Sequence, residues 1–343
     1  MRKILSVLLI SSLLSVIPFT AQAEEIELGS TTYPDDESCS LSGEGTSGSP
    51  FLIDGIGALQ ELAHDAFYCT ANAPVGANDY VETHFRLTAN ITITDANAPW
   101  WPSSDPNGLA LGGYRFDETT DSNGVSIAGS KPILDGAGHT LDFDIHDESL
   151  FSLDMLSNTP GDLTHTFKNL TIDARQGSSL VRSASLIRPR ANDITSGAVL
   201  QDVHIEHGSF STTSLLVQSA AILELERVSF RSAGTSANPV VASNSSSTLI
   251  HTLRPGSTVD GVRVIGDHLK VGRAVVFQNN DSGADLTLND VFVSVSNLEI
   301  TQNDGAVLMS QTSQSSITEI SGLSVRVPNL SYSHGGSLYG IVF

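Results

Sequence analysis

An all-β solenoid, a parallel β-helix preceded by a short helix, is the fold class predicted by three observations. A six-residue apolar pattern recurs along the chain, each copy is followed by a second apolar patch, and the intervening segments are rich in Ser, Asn, Gly and Asp. Six segments run apolar, any, turn-type, apolar, any, apolar: Phe167 to Ile172, Leu200 to Ile205, Leu225 to Phe230, Val259 to Val264, Leu288 to Val293 and Ile320 to Val325. Their third positions are Asn169, Asp202, Arg227, Gly261, Asp290 and Gly322, five of which are turn formers. The central apolar residues Leu170, Val203, Val228, Val262, Val291 and Leu323 lie 33, 25, 34, 29 and 32 residues apart, an internal repeat of variable period. Leu141 with Phe143 makes a weaker seventh copy.

The second patches are Leu180-Val181, Leu215 to Val217, Val240-Val241, Val275 to Phe277, Val307 to Met309 and Leu338-Tyr339. Two or three short strands per period, separated by turns, describe one coil, and alternation along each strand divides inward from outward side chains. An antiparallel sandwich also uses many short strands. It needs no constant phase from strand to strand, whereas stacked coils must place the same apolar position over its predecessor each time. The repeat therefore favours the solenoid.

Taken from the start, Met1 to Ala23 has Arg2 and Lys3, an apolar stretch from Ile4 to Phe19, and Ala21-Gln22-Ala23, the order of a Sec signal peptide cleaved after Ala23. A membrane anchor is the alternative, but an apolar core of about 16 residues is short for a span. Residues 24–48, rich in Glu, Asp, Ser, Thr and Gly, read as an acidic leader or linker. Residues 49–80 form the expected N-terminal cap. There the strand Phe51-Leu52-Ile53 leads into Ile56, Leu59, Leu62, Ala63 and Phe67, spaced as one apolar face of a short helix. Residues 81–343 make up the β-helix. Its last repeat is followed by Gly335 to Phe343 in the place of a second patch, which reads as a stop in mid-coil and as self-association through the C-terminal coil.

The chain carries 17 basic and 38 acidic residues, a net charge of −21, and removal of Arg2 and Lys3 makes it about −23. Such a charge repels phosphate backbones and excludes nucleic acid as an expected partner. No apolar run after the first reaches the length of a membrane helix, so no transmembrane helix is expected in the mature chain. Export through the Sec pathway implies an extracellular, cell-surface or periplasmic location. Cys39 and Cys69, the only cysteines, lie beyond the signal, and an oxidising compartment joins them in one disulfide; two buried thiols or an incomplete metal pair are the alternatives. Closing that loop stabilises by about 3 kcal/mol in the chain-entropy account.

The segment Gly43 to Ala63, with Gly45, Thr46, Pro50, Phe51, Leu52, Ile53, Leu59, Leu62 and Ala63, resembles the opening of bacterial GLUG-type surface-repeat proteins and related adhesin-like β-helix domains. Phe85 to Ile91, Trp101-Pro102, Leu134 to Leu141 and Phe167 to Ile172 are similar to the elements that follow in that family. The likeness covers about residues 43–175. Two features depart from the family. The stretch between Trp101 and Leu134 is longer and more polar, and the Gly-Leu-Val-Gly repeats are missing downstream. The resemblance implies a right-handed parallel β-helix (the fold shared with pectin-cleaving enzymes), exported and often attached to the cell surface.

Candidate chemistry is sparse. The elements of a polygalacturonase-like hydrolase are missing, and a lyase needs an acidic calcium cluster beside a basic residue. Arg182, Arg188 and Arg190 are the local basic concentration, and Asp142, Asp144, Asp147 and Glu148 the nearest acidic group; both sets suit solvated turns as well as catalysis. His139, between Gly138 and a strand, is better explained as part of a turn in which Gly136 and Gly138 permit positive φ and the Asp135 and His139 side chains bond to amides. His204 and His207 have no metal-ligand spacing. Asn279, Asn280, Asp281, Asp285, Asn289 and Asp290 are oxygen-rich enough to hold calcium but lack the register of a calcium-binding solenoid, so no cofactor or metal is expected. Trp100, Trp101 and Tyr114 are the candidate ligand-binding aromatics. The expected function is adhesion or recognition of carbohydrate or protein without catalysis. A polysaccharide lyase or glycoside hydrolase acting on the lateral face is the alternative.

Overall fold

The computed structural model describes residues 39–62, 81–94, 96–97, 130–144, 164–174, 197–207, 214–237, 239–241, 248–253, 256–272, 275–279, 286–301, 307, 309–311 and 317–332. The first strand, β1 (Phe51–Ile53), is followed by helix α1, described over 56–62, and by β2 (Val81–Leu87) and β3 (Ile91–Thr94). Next come β4 (Ser130–Asp135), β5 (Thr140–Asp144), β6 (Thr164–Ala174), β7 (Gly197–His207), β8 (Ser214–Glu226), β9 (Ser229–Ser232) and β10 (Val240–Val241). The C-terminal half holds β11 (Thr248–Leu253), β12 (Thr258–Asp260), β13 (Arg263–Val271), β14 (Phe277–Asn279), β15 (Leu286–Asn289) and β16 (Phe292–Ile300). It closes with β17 (Met309–Gln311), β18 (Ile317–Ser321), β19 (Ser324–Arg326) and β20 (Asn329–Tyr332).

Among the described residues every strand pairing is parallel, which makes the fold a β-solenoid and removes the antiparallel sandwich. Each strand pairs with its counterpart one coil away, so the strands stand in columns. The first column stacks β1, β2, β4, the leading halves of β6 and β7, the trailing part of β8, then β12, β15 and β18. A second column runs through β3, β5, the trailing halves of β6 and β7, β9, the leading parts of β13 and β16, and β19. Two further columns are β10, β13, β16 and β20, and β8, β11, β14 and β17.

The corner between the first two columns is the third position of the sequence repeat, and it has positive φ in every copy. The values are 51° at Asn169, 53° at Asp202, 54° at Arg227, 70° at Gly261, 47° at Asp290 and 63° at Gly322. A single left-handed residue turns the chain without a loop, which is why Gly, Asn and Asp collect there. Backbone pairing continues through it. The corner amides of Arg227, Gly261 and Asp290 donate to Asp260, Asn289 and Ser321 on the following coil, at 2.9 to 3.0 Å.

Inward side chains form two long stacks. Phe51, Phe85, Leu134, Phe167, Leu200, Leu225, Val259 and Leu288 follow one another in register, none more than 7% exposed. Beside them Ile91, Leu141, Ile172, Ile205, Phe230, Val264 and Val293 are buried. Burial of one such residue is worth about 1.5–3 kcal/mol, so each coil is held mainly by its two neighbours. Val262 points inward and Arg263 outward, as the repeat predicts.

Helix α1 covers the first coil: Leu59 and Leu62 are buried in the core cluster, and Ile56 and Ala58 pack against it. The described part of the acidic segment is tied to this cap at several points. Leu41 is buried, the Leu52 amide donates to the Ser42 carbonyl at 2.8 Å, and the His84 amide donates to Gly45 at 2.9 Å. Ser40 donates from both its amide and its hydroxyl to the Glu61 carboxylate. Cys39 is half-buried beside the core; Cys69 lies outside the described residues.

The turn at Asp135 to His139 differs in one respect from its expected form. Positive φ falls on Ala137 (50°) and Gly138 (83°), not on Gly136. Gly136 is needed for another reason: a Cβ there would lie 2.5 Å from the Asn169 carbonyl oxygen and 2.7 Å from Leu170 Cα, so the next coil closes only over a bare backbone. Asp135 Oδ1 accepts from the Ala137 amide at 2.9 Å, and His139 contributes through its backbone, donating to Gly136 and accepting from Thr171.

Candidate functional site

Outward residues of the second column form a lateral face in which each position repeats one rung, about 4.8 Å, along the axis. Three residues beyond each central apolar residue the outward position is Asp173, Glu206, Arg231, Ile265, Ser294 and Arg326, and Asp142 continues the row because Leu141 pairs with Ile172 and not with Leu170, two residues out of phase with the other copies. Three carboxylates therefore stack directly and meet an arginine on the next rung. Thr92 extends the row at its other end, donating to Asp142 Oδ2 at 3.4 Å. Alternation of β5, β6 and β7 puts the three acids outward because Leu141, Phe143, Ile172 and Ile205 occupy the core.

The neighbouring outward position, one residue beyond the central apolar residue, carries Thr171, His204, Ser229, Arg263, Phe292 and Ser324. His204 Nδ1 lies 2.7 Å from Ser229 Oγ. The Arg263 guanidinium carbon stands 5.9 Å from the centroid of the Phe292 ring, and Nη2 is 3.7 Å from Asp290 Oδ2. Ile265 is 41% exposed beside these groups, an apolar side chain that the alternation would normally make polar.

Along the corner the outward residues form polar ladders. Asn169 donates to Asp135 at 3.0 Å, Asn289 donates to Asp260 at 2.8 Å, and Ser321 donates to Asn289 at 2.6 Å. Arg227 grips both oxygens of Asp202, through Nε and Nη2 at 2.6 Å each, and also bonds Glu226, which accepts from Gln201 at 2.8 Å. The bonded guanidinium holds the Asp202 carboxyl below its ordinary range, and the same bonds raise Arg227. Around the next corner Asn297 donates to the Asp267 carbonyl, Asn329 donates to Asn297, and Ser296 donates to Asp267, all at 3.0 to 3.1 Å.

Of the residues singled out from sequence, Asp142 is placed in the acidic row, and Asp144 lies on β5 next but one to it. Arg182, Arg188, Arg190, Asp147 and Glu148 lie outside the described residues, as do Trp100, Trp101 and Tyr114. Asn289 and Asp290 sit at the corner, in hydrogen-bonded and ion-paired positions, while 280–285 lie outside the described residues. Asp173, Glu206, Arg231 and the Arg263–Phe292 pair were not singled out, although two fixed offsets from the central residue of each repeat locate them, three residues for Asp173, Glu206 and Arg231 and one for Arg263 and Phe292. Among the described residues no group of three His, Cys, Asp or Glu side chains is arranged to hold a metal ion, and no helix is long and apolar enough to cross a membrane. Chemically, the face offers paired carboxylates one and two rungs apart, two guanidiniums placed diagonally on adjacent rungs (Arg231 and Arg263) and a partly apolar platform. No protein-family model, curated protein or solved structure matches this chain.

Proposed function

We propose that the chain is an exported β-solenoid protein that recognises carbohydrate or protein at or outside the cell surface, in the manner of GLUG-type and adhesin-like proteins, without catalysing a reaction. The observation that carries this reading is the lateral face: charged, amide, hydroxyl and apolar side chains are held at a constant rung spacing by a rigid backbone ladder. Such a surface suits a repeating or extended ligand. The Met1 to Ala23 segment and the resemblance over about residues 43–175 support export. A Cys39–Cys69 disulfide belongs to the same proposal. Unreduced peptide mapping of the exported protein is expected to link these residues, and free thiols at both would remove it.

A second reading, a polysaccharide lyase or hydrolase, is favoured by the stacked carboxylates Asp142, Asp173 and Glu206, because glycoside hydrolysis uses two carboxyl groups about 5–9.5 Å apart. One experiment separates the two. The exported protein is presented to a glycan array and incubated with a panel of uronic-acid and neutral polysaccharides. Retention of a glycan without product release is expected. Steady release of oligosaccharide, abolished by Asp173→Asn or Glu206→Gln, would replace recognition by catalysis.

A further inference from the structure

We infer that the Arg231, Arg263, Ile265 and Phe292 patch on the lateral face is a binding site for a sugar residue carrying one carboxylate, set within an otherwise neutral glycan. The inference rests on the recognition reading above and names its ligand class. Arg231 lies one rung from Ser229's neighbour Arg263 and two residues along the strand, which puts their Cα atoms roughly 8 Å apart, within the reach of two long side chains to one carboxylate. Both guanidiniums have donors to spare. Among the described residues Arg231 has no carboxylate within ion-pair distance, and Arg263 holds Asp290 only at 3.7 Å, with both side chains more than half exposed. In a chain with 17 basic residues against 38 acidic ones, two such arginines side by side are a local exception.

The rest of the patch supplies what a sugar ring needs. Ile265, 41% exposed, lies on the rung after Arg231, and Phe292 lies on the rung after Arg263, so an apolar strip adjoins the two cations. The apolar face of a pyranose packs on such a strip. Hydroxyl partners are close by: Ser294 follows Ile265 in register, and Ser229, bonded to His204, precedes Arg263. Glu206, one rung before Arg231, fixes the orientation, since a ligand carboxylate is repelled from that side and directed toward Ile265.

The overall charge of −21 sets the limit on charge in the ligand. A densely anionic chain is repelled along the Asp142, Asp173 and Glu206 row, whereas one carboxylate is governed by the two nearby guanidiniums, because screening at physiological salt confines exposed charges to about 8 Å.

The test uses a neutral oligosaccharide bearing a single glucuronate, the same oligosaccharide without it, and the exported full chain, by titration calorimetry. Binding of the glucuronate form at least tenfold tighter than the neutral form is expected, falling as salt is raised. Arg231→Gln with Arg263→Gln is expected to abolish that preference at an unchanged melting temperature, while Arg326→Gln, on the same outward row but three rungs from Arg231, retains it. Equal binding of the two sugars, or an intact preference in the double variant, would overturn the inference and leave the recognition reading standing if other glycans or proteins bind. Failure to bind any glycan or protein would overturn both.

Discussion

Among the described corner residues of the repeat, Arg227 is the one least suited to its backbone. It occupies a left-handed corner, φ 54°, where the other copies of the repeat have Asn, Asp or Gly. Left-handed backbone is disfavoured for a side chain of this kind, and the compensation lies in its partners, the bidentate grip on Asp202 and the contact with Glu226. This part of the corner was legible from sequence only as a turn position filled by an unexpected residue; the partner is 25 residues away and enters through the register. The pair titrates in a defined direction. Asp202 is held below its ordinary value of 3.8 by its hydrogen bonds to Arg227, so its contribution to stability is present above that value and is lost as pH falls through the lower folded value. A carboxyl-detected NMR titration should place the Asp202 midpoint below 3.8 in the native protein and return it to the ordinary range in Arg227→Gln. An unshifted Asp202 in the native protein would show that the pair is not formed in solution. The same scale explains where a glycine expectation failed: sequence pointed to positive φ at Gly136, but what excludes a side chain there is the Asn169 and Leu170 backbone of the following coil.

At the scale of strands and coils the repeat carried most of the information. The pattern apolar, any, turn, apolar, any, apolar marks one inward residue before a corner and two after it, and the register pairs them as spaced, Leu170 with Val203 and Val264 with Val293 among others. Corners could be located because a left-handed position has a strong composition bias, whereas the strands on the far side have neither such a corner nor a constant offset: β14 and β17 were legible only as apolar patches, and β11 was not singled out. A direct check of the register is a pair of substitutions one residue apart. Val262→Asp buries a carboxylate among apolar side chains and should cost several kcal/mol, while Arg263→Asp, on a side chain more than half exposed, should cost less than about 1 kcal/mol. Equal losses in chemical denaturation would mean that the strand faces are reversed. The helical cap was legible from the spacing of Leu59 and Leu62, but the participation of Leu41 and Ser42 was not, because an acidic, serine-rich segment offers no apolar period to read.

For the molecule as a whole, the candidate site illustrates why charge content alone is a poor guide to a surface. Asp142 was singled out with its sequence neighbours, yet its spatial neighbours are Asp173 and Glu206, 31 and 64 residues further on, brought beside it by two coil periods. The same stacking defines the C-terminal end of the described solenoid. Leu288 and Leu298 are 0% and 1% exposed, but the residues that stack on them, Ile320 and Leu330, are 40% and 39% exposed, and Leu323, Val325 and Tyr332 are only partly buried. These side chains continue the core rows, and among the described residues no further layer stacks on them. Among the described residues β18, β19 and β20 pair only with the preceding coil, and an edge of this kind is one to which another strand can pair. The opposite end of the stack is covered by α1, so a second copy adding head to tail meets a cap, whereas two C-terminal coils meeting across a two-fold axis bury the same apolar rows on both sides. Self-association through this end is accordingly the proposal for the assembled protein, and Leu330→Asp is the variant that addresses it. Sedimentation over a wide concentration range should show a monomer–dimer equilibrium for the native protein and a shift of at least tenfold toward monomer in the variant, with the variant's unfolding transition retained. A native protein that stays monomeric throughout would mean that this edge is covered within a single chain.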